Sequence, residues 1–277
     1  MGDLRKTADE DGIWARVYGG KDKYDKDNTS YENSFKTMQV GLDRALGSNG
    51  WHAGAGFSYM DGNSDYELGG KGDNKAYSLA VYGSWLGNEG QYLDLVLKGS
   101  KLENDYTVYN DMGHKLTGDY DTWGTSLSAE YGKKITGSDG FYWEPQAQIT
   151  YSRLNSADYN AHSDFGNGKD MSVEQDGMNS LVGRLGIGMG KDTSKGTMYA
   201  KVSLAHEFCG DITTAFSAVN EPTSSVSQDF GDTWVEFNVG GSQMLNKNTY
   251  LYADFTKSAG ADVSVDWKAN AGVRWTF

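Results

Sequence analysis

The sequence predicts an all-β fold, a twelve-stranded antiparallel transmembrane β-barrel, and three observations carry that prediction. The carboxyl-terminal residues alternate apolar and polar with a period of two. The composition is too polar for a membrane helix yet rich in glycine and in interfacial aromatics. The connections between alternating segments are short at one end of the molecule and long at the other.

The terminal segment is the clearest element. Val265, Trp267, Ala269, Ala271, Val273, Trp275 and Phe277 share one face, and Asp266, Lys268, Asn270, Gly272, Arg274 and Thr276 share the other. Successive side chains of a strand point to opposite faces, so one face is wholly apolar and the other polar. Trp267 and Trp275 bracket the apolar face, as expected where a strand crosses both interfaces of a bilayer.

Composition agrees once the strand period is considered. Hydrophobic residues make up 38%, the mean hydropathy is −0.63, and no stretch approaches the roughly 20 apolar residues of a spanning helix. A barrel needs only every second residue to face lipid. The chain has 37 Gly, 18 Tyr and 8 Trp for turns and interfacial belts, and only 2 Pro to interrupt ladders. A net charge of −13 argues against nucleic acid as a partner, because phosphate binding needs clustered Lys and Arg. The single Cys209 permits no internal disulfide. Met1 to Gly12 lacks the apolar region of a signal peptide, so the expectation is a processed piece of a longer precursor.

Twelve alternating segments run over about 12–21, 35–46, 51–61, 75–86, 90–105, 119–135, 141–154, 178–191, 197–209, 233–245, 249–258 and 265–277. The connections Gly47–Gly50, Gly87–Glu89, Thr136–Gly140, Asp192–Gly196 and Asn246–Asn248 are short. Most of the others are long, above all 155–177 and 210–232, while 258–264 is modest. Short periplasmic turns alternating with long external loops mark bacterial outer-membrane barrels, and an even strand count puts both termini on the periplasmic side. Aromatic belts are then expected from Trp51, Trp85, Tyr131, Trp143, Trp275 and Phe277 at the turn ends. Tyr59, Tyr77, Trp123, Trp234 and Trp267 supply the loop ends.

The opposite parity gives the inward face. It holds Arg16, Asp43, Asp94, Lys98, Glu130, Glu144, Gln146, Gln148, Arg184, Lys201, Glu207, Glu236, Asp254, Lys268 and Arg274. Interleaved charges of both signs can brace a wet wall. Twelve strands lie between barrels filled by their own side chains and open channels, leaving room for one helix or extended segment, or a narrow pore.

Catalytic chemistry is poorly represented. Of four histidines only His52 shares the inward parity, and no zinc-ligand spacing, nucleophile elbow or Ser/His/Asp arrangement can be assembled. Gly54-Ala55-Gly56 and Gly186 to Gly190 are strand glycines, because no helix follows them. The acidic stretches Asp61 to Asp65 and Asp158 to Asp176 match no defined cation loop and read as solvated turns. No metal or cofactor is expected.

Several segments together resemble the carboxyl-terminal translocator domain of type Va autotransporters. They are Met1-Gly2-Asp3-Leu4-Arg5, Gly12-Ile13-Trp14-Ala15-Arg16, Met38-Gln39-Val40-Gly41-Leu42-Asp43 and Gly90-Gln91-Tyr92-Leu93-Asp94. Trp143-Glu144-Pro145-Gln146-Ala147-Gln148 and the closing Ala271-Gly272-Val273-Arg274-Trp275-Thr276-Phe277 complete the set. The resemblance covers essentially the whole chain.

The resemblance implies a monomeric outer-membrane barrel that anchors a covalently linked amino-terminal passenger and supports its export. Residues 1–11 would end the linker as a short helix in the lumen, and 12–277 would form the barrel. Val273, Trp275 and Phe277 would form the signal read by the barrel-assembly machinery, with periplasmic chaperones, outer-membrane lipid and lipopolysaccharide as further partners. One subgroup cleaves its own linker inside the barrel with acidic lumen residues. Asp94 and Glu130 match two of those positions and are the catalytic candidates; Gln148 occupies the third, and the cleaved asparagine would lie upstream of Met1. The alternative reading is a general diffusion pore.

Overall fold

The computed structural model describes residues 10–26, 29–47, 49–164, 170–218 and 222–277. Among them are β1 (Gly12–Lys26), β2 (Thr29–Ala45), β3 (Trp51–Tyr66), β4 (Lys71–Leu86), β5 (Gln91–Tyr109) and β6 (Lys115–Lys133). After the two-residue β7 (Ile135–Thr136) come β8 (Phe141–Leu154), β9 (Ala157–Ser163), β10 (Asp170–Gln175), β11 (Met178–Thr193) and β12 (Gly196–Glu207). The chain continues through β13 (Asp211–Ala218), β14 (Ser224–Asp229), β15 (Thr233–Asn246), β16 (Thr249–Ala259) and β17 (Val263–Thr276).

Twelve of these strands form one closed antiparallel wall. β1 to β6 pair in sequence, followed by β8, β11, β12, β15, β16 and β17. The ring closes where β17 pairs with β1, from Gly12 opposite Thr276 to Tyr24 opposite Val263. Closure leaves no wall strand with an unpaired edge, which a bilayer requires because its core offers backbone groups no other partner.

Polarity is inverted relative to a soluble core. Thr37, Ser58, Ser78, Ser84, Ser100, Thr122 and Glu144 are buried, while Leu79, Leu185, Met189, Met198, Leu204 and Phe237 are exposed. Leu185 is 66% exposed, and so many large apolar side chains on the outer face of one wall make a surface that lipid is expected to cover. The aromatics Tyr131, Trp143, Trp275 and Phe277 are exposed near the short turns, and Tyr77, Trp123 and Trp267 near the far end.

The long connections depart from the sequence expectation. β1 runs to Lys26 and β2 begins at Thr29, so most of the stretch read as a loop is ladder. The same holds for β3 with β4 and for β5 with β6. Beyond the bilayer the outer face need not be apolar, so the alternation fades while backbone pairing continues. Stacked tyrosines support these extensions, with Tyr24 and Tyr31 at 5.1 Å between centroids and Tyr120 and Tyr159 at 4.7 Å. The stretches 155–177 and 210–232 carry hairpins of their own, β9–β10 and β13–β14, joined by pairing of β10 with β13.

Trp234 does not belong to the lipid belt. It shares the parity of Glu236, and its indole N–H donates to Glu236 Oε1 at 2.9 Å. The exposed apolar residues of that strand are Phe237, Val239 and Leu245, on the opposite parity. The expected linker helix over residues 1–11 falls outside the described residues except for Glu10 and Asp11, which have no regular structure.

Candidate functional site

The wall encloses a cavity of about 810 Å³. Of the inward residues named from parity, Arg16, Asp94, Lys98, Glu130, Glu144, Gln148, Arg184, Lys201, Glu236, Asp254, Lys268 and Arg274 line it, and Gln146 does not. Neither do Asp43 and Glu207. Asp43 lies behind Arg274, and Glu207 accepts the backbone N–H groups of Leu181 (2.7 Å) and Cys209 (3.0 Å). A carboxylate with two amide donors serves the top of β11 and β12 rather than the lumen.

The seam at the short-turn end is held by one buried network. Arg274 donates from Nη1 and Nη2 to the two oxygens of Asp43, each at 2.6 Å. Tyr82 donates to Asp43 Oδ2 at 2.9 Å, and Trp14 donates to the Tyr82 hydroxyl at 2.7 Å. These residues sit on β17, β2, β4 and β1, so the network crosses the point of closure. Arg274 passes over β1 at Gly12, where a Cβ would lie 2.8 Å from Nη2.

Register places a second set in one row. His52, Ser84, Asp94, Glu130, Gln148 and Arg184 are successive cross-strand partners on β3, β4, β5, β6, β8 and β11. Ser84 donates to Asp94. Arg184 joins Glu130 at 3.2 Å and Glu236 at 2.9 Å, and Gln148 donates to Ser128 at 2.9 Å. The Tyr92 hydroxyl lies 3.0 Å from Glu144, 3.2 Å from Glu130 and 3.3 Å from Gln146. His52 is fully buried, and neither ring nitrogen has a hydrogen-bond partner among the described residues. With Ser84 directed at Asp94 rather than at an imidazole, the row makes no nucleophile–base pair.

Inward aromatics escaped the sequence reading. Trp14, Tyr82, Tyr142, Tyr199 and Tyr252 line the cavity, as does Lys134. Tyrosine was assigned to interfacial belts, whereas parity within each strand separates Tyr82 from Val81 and Tyr92 from Leu93. The signal was present in the alternation itself. Several inward rings lie flat over a glycine of the next strand, as Tyr82 does over Gly54 and Tyr92 over Gly132.

The sequence model described as "Autotransporter beta-domain" matches residues 13–256. The chain belongs to the autotransporter β-domain family. It is 29% identical over 285 residues to the pertactin autotransporter of Bordetella parapertussis, a match covering all of this chain and 30% of that protein. The chain thus spans about a third of the length of the curated relatives it matches. Among solved structures, the β domain of the Bordetella autotransporter BrkA superposes with a TM-score of 0.74 at 24% identity, covering 97% of this chain and 100% of that one. The translocator domain of NalP from Neisseria meningitidis gives 0.74 at 12% identity, covering 100% and 94%. These structural likenesses establish the shared closed-barrel fold of the autotransporter β domain.

Proposed function

We propose that this β domain is an outer-membrane translocator that anchors a linked passenger and supports its export to the cell surface. The observation that carries the reading is a sealed twelve-strand wall around a hydrated, charge-lined cavity, in a chain of this family. The outer face meets lipid and lipopolysaccharide, and the lumen offers polar partners to a segment held within it. Residues 1–11 end the linker to the passenger, and both termini face the periplasm. The barrel works as a monomer and carries out no bond chemistry of its own.

The test is a fusion of a reporter passenger through its linker to the full chain in a Gram-negative host. Protease added to intact cells should remove the reporter from the surface. A fusion that inserts as a heat-modifiable barrel yet keeps its reporter in the periplasm would favour the diffusion-pore reading.

Release of the passenger by cleavage inside the barrel is a second reading, favoured by the adjacency of Asp94 and Glu130 in the register. Two features oppose it. Gln148 brings an amide where a third carboxylate would act, and Glu130 is shared with Arg184.

A further inference from the structure

The charge of the lumen runs against that of the chain. The sequence carries −13, yet seven cationic and five anionic side chains line the cavity. The ion pairs described there tie Arg184 to Glu130 and Glu236, Arg274 to Asp43, and Lys134 to Asp192. Arg16, Lys98 and Lys268 join none of them. Arg16 instead donates to Gln39, and both Arg16 and Lys268 lie over the ring of Tyr18, at 5.3 and 5.2 Å from its centroid. Arg16 is near enough to repel both lysines. Asp254, Asp22 and Glu236 lie within electrostatic range of Lys268, but Asp254 is occupied by the amides of Asn238 (3.4 Å) and Asn270 (2.7 Å) and Glu236 by Arg184.

The wall between these cations is cleared of bulk. From Lys98 the cross-strand row runs through Ala80, Gly56 and Gly41 to Trp14, whose indole covers the two glycines. The result is a shallow surface of one aromatic plane and one aromatic ring flanked by three like charges. Cations held close together in a partly desolvated cavity favour an anion that can meet more than one of them.

We infer that Arg16, Lys98 and Lys268 form a carboxylate-binding surface in the lumen, suited to acidic side chains of an extended polypeptide. The inference deepens the translocator reading and rests on it for the identity of the polypeptide. Arginine offers a fork for a carboxylate, and the lysines offer mobile point charges that follow a moving chain. Trp14 and Tyr18 offer flat contacts that tolerate any sequence between the acids.

The test uses the full chain refolded in detergent, with hexaglutamate, free glutamate and hexalysine as probes, read by the shift in thermal unfolding midpoint. Hexaglutamate should raise the midpoint saturably, free glutamate at equal carboxylate concentration should not, and hexalysine should have no such effect. The variant Lys98→Gln/Lys268→Gln should keep heat-modifiable migration and lose about tenfold in hexaglutamate affinity, as expected for removal of close charge partners. Lys98→Gln alone, at a side chain with no ion pair among the described residues, supplies the same comparison if the double variant folds poorly. Equal binding by variant and parent, or equal response to hexalysine, overturns the site. Equal response to free glutamate keeps the carboxylate site and overturns the polypeptide as its source. Surface display of the reporter fusion is measured separately, so a barrel that exports but ignores hexaglutamate overturns this inference alone.

Discussion

Arg274 and Asp43 meet through two parallel hydrogen bonds of 2.6 Å that bridge the last strand to the second across the first. Both side chains are almost wholly buried, at 3% and 0% exposure. A buried pair is costly to break from one side, because the survivor is left as an uncompensated charge. Arg274→Gln or Asp43→Asn should therefore destabilise the barrel by about 3–5 kcal/mol. Replacing both by apolar residues of similar volume should cost less than either single change. Urea unfolding in detergent, followed by gel migration of unheated samples, provides the comparison. Additive losses in the double variant would mean that the two residues act independently.

Parity along each strand makes a second prediction. Leu185 faces outward on β11, and Ser126 lines the cavity on β6. An arginine on the lipid face near mid-strand costs about 2–4 kcal/mol, whereas a wet lumen can solvate it. Leu185→Arg should block insertion into vesicles, as should Leu95→Arg, while Ser126→Arg assembles. Equal assembly of the three would contradict the assigned faces.

Legibility from sequence followed the bilayer. Where a strand crosses lipid, as from Val265 to Phe277, the apolar face is imposed at every second residue and the element can be read directly. Beyond the lipid the constraint disappears, so the upper ends of β1 and β2 and the β9–β10 and β13–β14 hairpins looked like loops although their ladders are continuous. In the lumen, parity identifies which residues point inward but not how they pair. Register is what puts Asp94 opposite Glu130, and it depends on where each turn sets the strands. The bridge from Arg274 to Asp43 spans 231 positions, and no local pattern contains it. Both residues nevertheless fall in segments that carried the family resemblance, which converge on this seam.

The carboxyl terminus offers a third prediction. The amide of Phe277 donates to Asp11 O at 3.1 Å, and its exposed ring lies 5.6 Å from that of Trp275. One backbone bond and a lipid-facing ring are a small part of the folded barrel's stability. Deleting Phe277 should therefore leave refolding in detergent intact while lowering the amount of barrel assembled in cells, if the aromatic end is read during insertion. Cellular yield unaffected by the deletion would show that Phe277 carries no such signal.

Acid should loosen the far end before the wall. Asp232 accepts the N–H of Thr233 at 2.6 Å and of Asp262 at 2.9 Å, and these two amides hold its carboxyl below the usual carboxylate range. A group whose folded value is depressed contributes stability above its unfolded value, near 3.9, and loses it as pH falls through the folded value. Protection of the Asp262 and Thr233 amides, as the exchange rate relative to the intrinsic rate at the same pH, should therefore fall below about pH 4, and Asp232→Asn should show the lower protection already at neutral pH. A protection factor that does not change with pH in the parent chain would remove Asp232 from this role.

A close contact of ring on glycine joins Tyr92 to Gly132. Tyr92 is 1% exposed, its ring lies across Gly132, and a Cβ at that glycine would stand 2.4 Å from the hydroxyl and 2.5 Å from Cζ. The clash is with the whole phenol end of a ring already fixed by Glu130, Glu144 and Gln146. Gly132→Ala should therefore push Tyr92 out of its place and cost about 1–3 kcal/mol, the range for overpacking. Tyr92→Phe keeps the ring and removes only the hydroxyl, so its cost, about 1–3 kcal/mol for stranding buried acceptors, has a different origin. The two causes separate in the double variant Gly132→Ala/Tyr92→Leu, where the smaller side chain makes room for the added methyl. Its loss of stability should be smaller than the sum of the losses from Gly132→Ala and Tyr92→Leu alone, measured by urea unfolding in detergent. Strict additivity would show that the glycine is required for its backbone and not for the ring that lies over it.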